Sequence, residues 1–392
     1  MTEVTVRKLS IDYKTAFGYA FIHFAMEVLC FFFLYRVFEG SRIWWGIAIM
    51  YDAIAFAGQV PVGAFCEKHP RFRPGVCGAV MLTAGAAMGL AAAYAATAGA
   101  DEGKRIISAG IVNAESALSS GGNISGFAYA VIIAGFCILS VGNALLHISG
   151  ALVTLKASEG RLSESGIFVG GGAFGVITGR LLGSGNGSVL IPFVLMAAAL
   201  AVVILIDIKM LKKPAADNLC LHNIAANRPV AAVITVLACV VAVRSYISGG
   251  IPLQWKTTVF ETVMLFAAMG IGKMAGGVLA DLFGARLIGI LSCLLSIPFL
   301  LAGGNLMWVS LIGIALFSMT MAIALGGIVS VIPNNPGVAF GITTLALFLG
   351  SLPTFFVNMP DQGIMNIILA VLSVLSAAGI WYSTDNTTKK GV

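Results

Sequence analysis

The chain of 392 residues is 59% hydrophobic and only 10% charged, with a mean hydropathy of +0.98, values that exclude a water-soluble globular domain. Its 23 Lys and Arg against 17 Asp and Glu leave a net charge of +6, which basic loops lying against anionic lipid explain without a nucleic-acid partner. The seven cysteines show no C-x-x-C spacing, so neither a disulfide framework nor a structural metal site is expected.

Twelve apolar runs, each long enough to cross about 30 Å of hydrocarbon as a helix, are predicted at 14–36, 43–66, 75–98, 127–154, 164–182, 189–210, 229–250, 257–281, 286–302, 306–331, 337–358 and 362–382. Their unbroken apolar character excludes a β-barrel, whose strands are short alternating segments. The first run is longer than the core of a cleavable signal and no small-residue cleavage site follows it, so it is expected to remain as a membrane helix. Apart from Arg244 and Lys273 in mid-helix, only Arg36, Arg42, Lys104, Arg105, Arg180 and Lys256 fall on one side of these spans. The remaining basic residues mark the other side as cytoplasmic, with both termini there, in a plasma membrane of the bacterial inner-membrane type.

The second and eighth runs end alike, in "GAFCE" at 63–67 and "GVLAD" at 277–281, each followed by a short basic turn. Glu67 and Asp281 are thus 214 positions apart, about half the chain. That spacing predicts two six-helix halves in parallel repeat, 1–211 and 230–392, joined by a polar linker at 212–229. The other long connection, 99–126, is rich in Gly and Ser and carries no recognisable chemistry.

In the second copy, Gly277, Asp281, Gly284 and Arg286 keep the spacing of a loop signature, with Gly63 and Glu67 at the matching places of the first copy. This pattern resembles that of the major facilitator superfamily. Small residues let helices approach, and a carboxylate at a helix end can meet a basic group or a neighbouring helix N-terminus. The segment 142–183 is similar to the fosmidomycin-resistance exporter branch through Gly142, Ala144, His147, Ser165, Phe168, Gly171, Gly172 and Gly179, but Ile148 and Arg180 replace the prolines of that pattern. Gly166, Gly175, Gly179 and Gly183 also follow the antiporter spacing of the fifth helix. The resemblance implies an all-α fold of twelve transmembrane helices, monomeric, with helices one, four, seven and ten lining a central cavity.

Charged and polar groups inside a bilayer are costly and seldom face lipid. The residues that stand out are His23 and Glu27 in the first run, Asp52 in the second, Asn143 and His147 in the fourth, Arg244 and Ser248 in the seventh, and Glu261 and Lys273 in the eighth. Glu27 and Asp52 are candidates for proton coupling, and His23, Asn143, His147, Arg244 and Ser248 for substrate contact. A Glu27–Arg244 pair across the cavity is expected, either as part of a transport site or as a static packing network. If Glu27 does not occupy it, an Arg in that cavity suits an anionic group. Asp52 reads equally as one side of an outer salt bridge with Arg36 or Arg42, and Glu261 as a solvated end charge. No zincin, P-loop or nucleophile-elbow motif is present, so neither an enzyme nor a cofactor is expected. The expected activity is secondary transport of a small organic solute by alternating access, as proton-coupled efflux. Proton-coupled uptake and a non-transporting receptor are the alternatives.

Overall fold

A computed structural model describes residues 12–98, 126–185, 187–211, 224–251, 253–357 and 360–385. Most of the 99–126 connection and residues 212–223 of the linker lie outside the described residues. The described chain is helical, with one isolated bridge between Ala225 and Thr384 that ties the end of the linker to the end of the last helix.

Among the described residues, twelve helices are long and apolar enough to cross a membrane. They are α1 (Tyr13–Phe38), α2 (Trp44–Lys68), α3 (Pro74–Ala98), α4 (Gly126–Ala157), α5 (Ser163–Ser184), α6 (Leu190–Leu211), α7 (Val230–Gly250), α8 (Val259–Phe283), α9 (Ala285–Ala302), α10 (Met307–Val331), α11 (Pro336–Phe356) and α12 (Gln362–Ser383). Local chemistry sets several ends. Asp12 caps α1 by accepting from Thr15 N at 3.2 Å. Thr258 and Glu261 form a reciprocal capping box on α8, which is the role of Glu261 at that end. Gly284 ends α8 with φ +99°, a conformation that an L side chain strains to adopt. Within α2, residues Ala53–Ala57 widen into a π-helical turn, which rotates Tyr51 and Asp52 relative to the inner half of that helix.

In lipid, helix association relies on close packing rather than on exclusion of water. The longest such contact runs between α1 and α5. A Cβ added at Gly171, Gly175, Gly179 or Gly183 would lie 2.3–2.8 Å from the carbonyl oxygens of Ala20, Phe24, Val28 and Phe32 respectively. Four glycines at four-residue spacing therefore seat one helix directly on the backbone of the other, and this holds His23 and Glu27 against α5.

Among the described residues the most extensive contacts between the halves are those of α5 with α8 and α2 with α11, with smaller ones of α4 with α11 and α5 with α10. At the first, Gly166 faces Gly277 and Gly170 faces Gly270; at the second, Gly63 lies against Gly337 and Gly341 against Val60. The same ends carry two carboxylate caps. Asp281 accepts from Leu162 N (2.9 Å) and Ser163 N (2.8 Å), and also from the Ser163 hydroxyl. Glu67 accepts from Gly337 N (2.7 Å) and Val338 N (3.1 Å). Each carboxylate thus caps the N-terminus of a helix in the opposite half, where the helix dipole favours negative charge. Of the two partners open to that carboxylate, the structure takes the helix N-terminus. Glu67 does so in the same way as Asp281 despite its different following sequence. Arg286 lies against Asp385 (3.8 Å) and the Trp381 ring (5.0 Å).

Candidate functional site

The polar residues of α1, α2 and α4 meet in one buried cluster. Their helical spacing explains this: His23 and Glu27 are one turn apart, as are Asn143 and His147, so each pair shares a face. The α1–α5 packing turns one pair toward the other.

Glu27, 1% exposed, has both carboxylate oxygens engaged. Asn143 Nδ2 donates to Oε1 at 3.1 Å and the Tyr51 hydroxyl donates to Oε2 at 3.2 Å. Asn143 Nδ2 also reaches the Tyr51 oxygen at 3.0 Å and Cys30 Sγ at 3.4 Å. The two imidazoles complete the cluster. His23 Nε2 and His147 Nε2 are 3.0 Å apart and stand 3.8 Å and 3.7 Å from Glu27 Oε1. Gly172 leaves room for this arrangement, since a Cβ there would lie 2.2 Å from His23 Nε2.

The other ring nitrogens decide the protonation logic. His23 Nδ1 lies 2.8 Å from the Phe168 carbonyl, and His147 Nδ1 lies 2.8 Å from Asn143 Oδ1 and 3.2 Å from the Asn143 carbonyl. Carbonyl oxygens only accept, so both Nδ1 atoms donate and carry hydrogen. In neutral rings both Nε2 atoms would then present lone pairs to each other at hydrogen-bond distance. A single added proton turns that repulsion into an N–H···N bond, and the adjacent Glu27 carboxylate balances its charge.

Among the described residues, His23, Glu27 and His147 are also the group whose ligand atoms converge closely enough for a metal ion, within 4.8 Å of one another. Cysteine spacing gave no hint of it. Lys273 lies in electrostatic reach of all three residues and opposes a further double positive charge there. The 3.0 Å nitrogen separation suits a shared proton.

The expected Glu27–Arg244 pair does not form. Glu27 is satisfied within its own half, and Lys273 of α8 lies in electrostatic reach of both Glu27 and Arg244. Arg244, 3% exposed, leaves Nε and Nη2 without a hydrogen-bond partner among the described residues. Ser248 donates to the Arg244 carbonyl at 2.9 Å and thus serves its own helix. Asp52 makes no hydrogen bond or ion pair with another described residue, and its neighbourhood includes Glu27. The proposed Arg36–Asp52 bridge is absent: Arg36 Nη2 instead donates to the carbonyls of Leu182, Gly185 and Gly187 at 2.8–2.9 Å. Tyr51 and Cys30 were not singled out by sequence reasoning; a tyrosine beside Asp52 in an apolar helix was the available signal.

The helix-five glycines have a structural explanation. Gly175, Gly179 and Gly183 seat α5 on α1, and Gly166 seats it on α8.

No protein-family profile matches the chain, and no protein of curated function matches it. Solved structures do. A major facilitator superfamily transporter, FucP, in the outward conformation aligns with a TM-score of 0.58 and 11% identity over 95% of this chain and 97% of that one. The E. coli fucose:proton symporter FucP aligns with a TM-score of 0.54 and 14% identity over 93% and 95%. A bacterial homologue of the iron transporter ferroportin, in an outward-facing state, gives a TM-score of 0.56 and 11% identity over 95% and 97%. Twelve membrane-capable helices in two six-helix halves, superposable over nearly their whole length on these transporters, give the chain the fold of the major facilitator superfamily.

Proposed function

We propose that the protein is a proton-coupled secondary transporter that moves a small solute by alternating access, with His23, Glu27 and His147 as its proton site. The observation that carries this reading is the approach of two imidazole Nε2 atoms to 3.0 Å beside a buried carboxylate, with both Nδ1 hydrogens already committed. Such a cluster is complete with one more proton than its neutral rings supply, and an intramembrane ionisable group of this kind marks a transport pathway. The cross-half seams support the rocking motion. They are lined by glycine and fastened by two carboxylate caps, contacts that can part without exposing a large apolar surface.

Efflux by antiport, the reading that the helix-five glycine pattern suggested, and uptake by symport differ in the sign of proton movement. The glycines are fully used in packing α5 on α1 and α8, so they carry no direction by themselves. Proteoliposomes with an imposed pH gradient and a trapped pH-sensitive dye, challenged with a panel of solutes, test both. Solute-dependent proton flux is expected for the wild type and loss of it for Glu27→Gln. Unchanged coupling in Glu27→Gln would sink the assignment.

A further inference from the structure

Neither positive charge that α7 and α8 bring into the membrane forms an ion pair with a described residue. Arg244 is 3% exposed, and its Nε and Nη2 atoms meet no hydrogen-bond partner among the described residues. Lys273 interacts electrostatically with both Arg244 and Glu27 and makes no ion pair with a described residue. Acids at the ends of α8 and α5 and in the α1 cluster are engaged elsewhere: Glu27 with Asn143 and Tyr51, Asp281 and Glu261 as helix caps, and Glu164 with Arg161 at 2.7 Å. Asp52 lies on the Glu27 side. A buried guanidinium with two donor positions unmatched among the described residues, and repelled by a second cation, is unfavourable unless an anion visits it.

A cavity of about 10 Å³, room for one water, lies one helical turn from Arg244 along α7 and from Lys273 along α8, and neither cation lines it. Ile247 and Ser248 line it one turn from Arg244, and Met269 one turn from Lys273, with Leu265 and Phe317 on the remaining walls. It is apolar apart from hydroxyls.

We propose that Arg244 and Lys273 recognise the charged head of the cargo, a small organic oxyanion (carboxylate or phosphonate) that travels together with a proton. This rests on the transporter reading above and names its substrate class. The guanidinium fork suits two oxygens of one head group, and the ammonium supplies a mobile point charge. Lys273 also gives the coupling its sign. While Glu27 is ionised it competes with the cargo for Lys273; once a proton enters the Glu27–His23–His147 cluster the competition is relieved. Proton and anion therefore favour each other's binding, which is the linkage of a symporter.

The test uses the full chain in nanodiscs and a matched series of probes: benzoate, phenylphosphonate and uncharged benzamide. One of the two anions is expected to raise the melting temperature, more at acidic than at alkaline pH, and the shift is expected to vanish in Arg244→Gln and Lys273→Gln. Which anion protects distinguishes a carboxylate cargo from a phosphonate one. Arg244→Leu without ligand is expected to melt above the wild type, because it removes an unpaired buried charge; a lower melting temperature or a failure to fold would show a structural role and overturn the proposal. So would protection by benzamide equal to that by the anions, no protection by either anion, or protection that survives both Gln variants. Spin-label distances across the two faces of the same nanodisc samples, followed against pH, keep the two readings apart. If they still respond to pH through Glu27 while no anion binds, only the oxyanion assignment falls.

Discussion

His23 and His147 meet through their Nε2 atoms at 3.0 Å although the Nδ1 hydrogen of each is already donated to a carbonyl oxygen. On the proposed reading the pair is a single unit that takes up one proton, and its members act together. Replacing either imidazole by Ala leaves the other with a buried polar atom that has lost its partner, a cost of about 1–3 kcal/mol. The double replacement His23→Ala with His147→Ala should cost less than the sum of the single ones. A coupling of roughly 0.5–3 kcal/mol in a double-mutant cycle is expected, read from thermal unfolding in nanodiscs. Strict additivity would mean that the two rings do not share a proton.

The α1–α5 seam makes a differential prediction. A methyl at Gly175 would lie 2.4 Å from the Phe24 carbonyl, so Gly175→Ala must push α1 away from α5, at a cost of about 1–3 kcal/mol for overpacking. Because α1 carries His23 and Glu27, the same displacement should abolish solute-coupled proton flux. Gly46 has open space around it, and there Gly→Ala should be neutral or stabilising by up to about 1 kcal/mol through helix propensity. Melting temperatures of the two variants check this ordering.

Asp281 and Glu67 are expected to set the conformational balance more than the stability of either half. Each caps a helix of the opposite half, and loss of a charged cap costs about 0.5–2 kcal/mol. Asp281→Asn combined with Glu67→Gln should weaken both seams on the face that carries them. At about 1 kcal/mol each, the population opened on that face would rise roughly thirtyfold. Spin-label distances between the ends of α2 and α11, and of α5 and α8, report it. Lower melting without a change in those distances would reduce both residues to ordinary caps.

Much of this was legible in the sequence. Hydropathy placed twelve spans, because a helix in lipid has to satisfy its own backbone and stay apolar over its length. Helical spacing placed His23 with Glu27 and Asn143 with His147, and the bilayer's cost for polar groups brought those faces together. Pairing across the halves was not legible. Sequence gives the depth and face of Glu27 and Arg244, but Lys273, Tyr51 and Asn143 compete for the same carboxylate, and distances alone decide among them. Glu67 was hard to judge for a similar reason: its sequence neighbours differ from those of Asp281, whereas its partner is the distant N-terminus of α11.

Arg36 and Asp52 show how that ambiguity can be resolved by experiment. Similar depth made them plausible partners, yet Arg36 Nη2 spans the carbonyls of Leu182, Gly185 and Gly187 at the end of α5, with the guanidinium 5.0 Å from the centre of the Phe32 ring. A cation at a helix C-terminus satisfies carbonyls that the helix itself leaves open. Arg36→Met strands those acceptors and should cost about 1.5–3 kcal/mol, the usual value of a hydrogen bond to a charged group. Arg36→Lys should recover part of the loss, because an ammonium still offers three donors. Asp52→Asn provides the contrast. If the two residues formed a salt bridge, it would destabilise as much as Arg36→Met; with Arg36 committed to α5, Asp52→Asn should leave the melting temperature nearly unchanged, and any effect should fall on proton coupling beside Glu27.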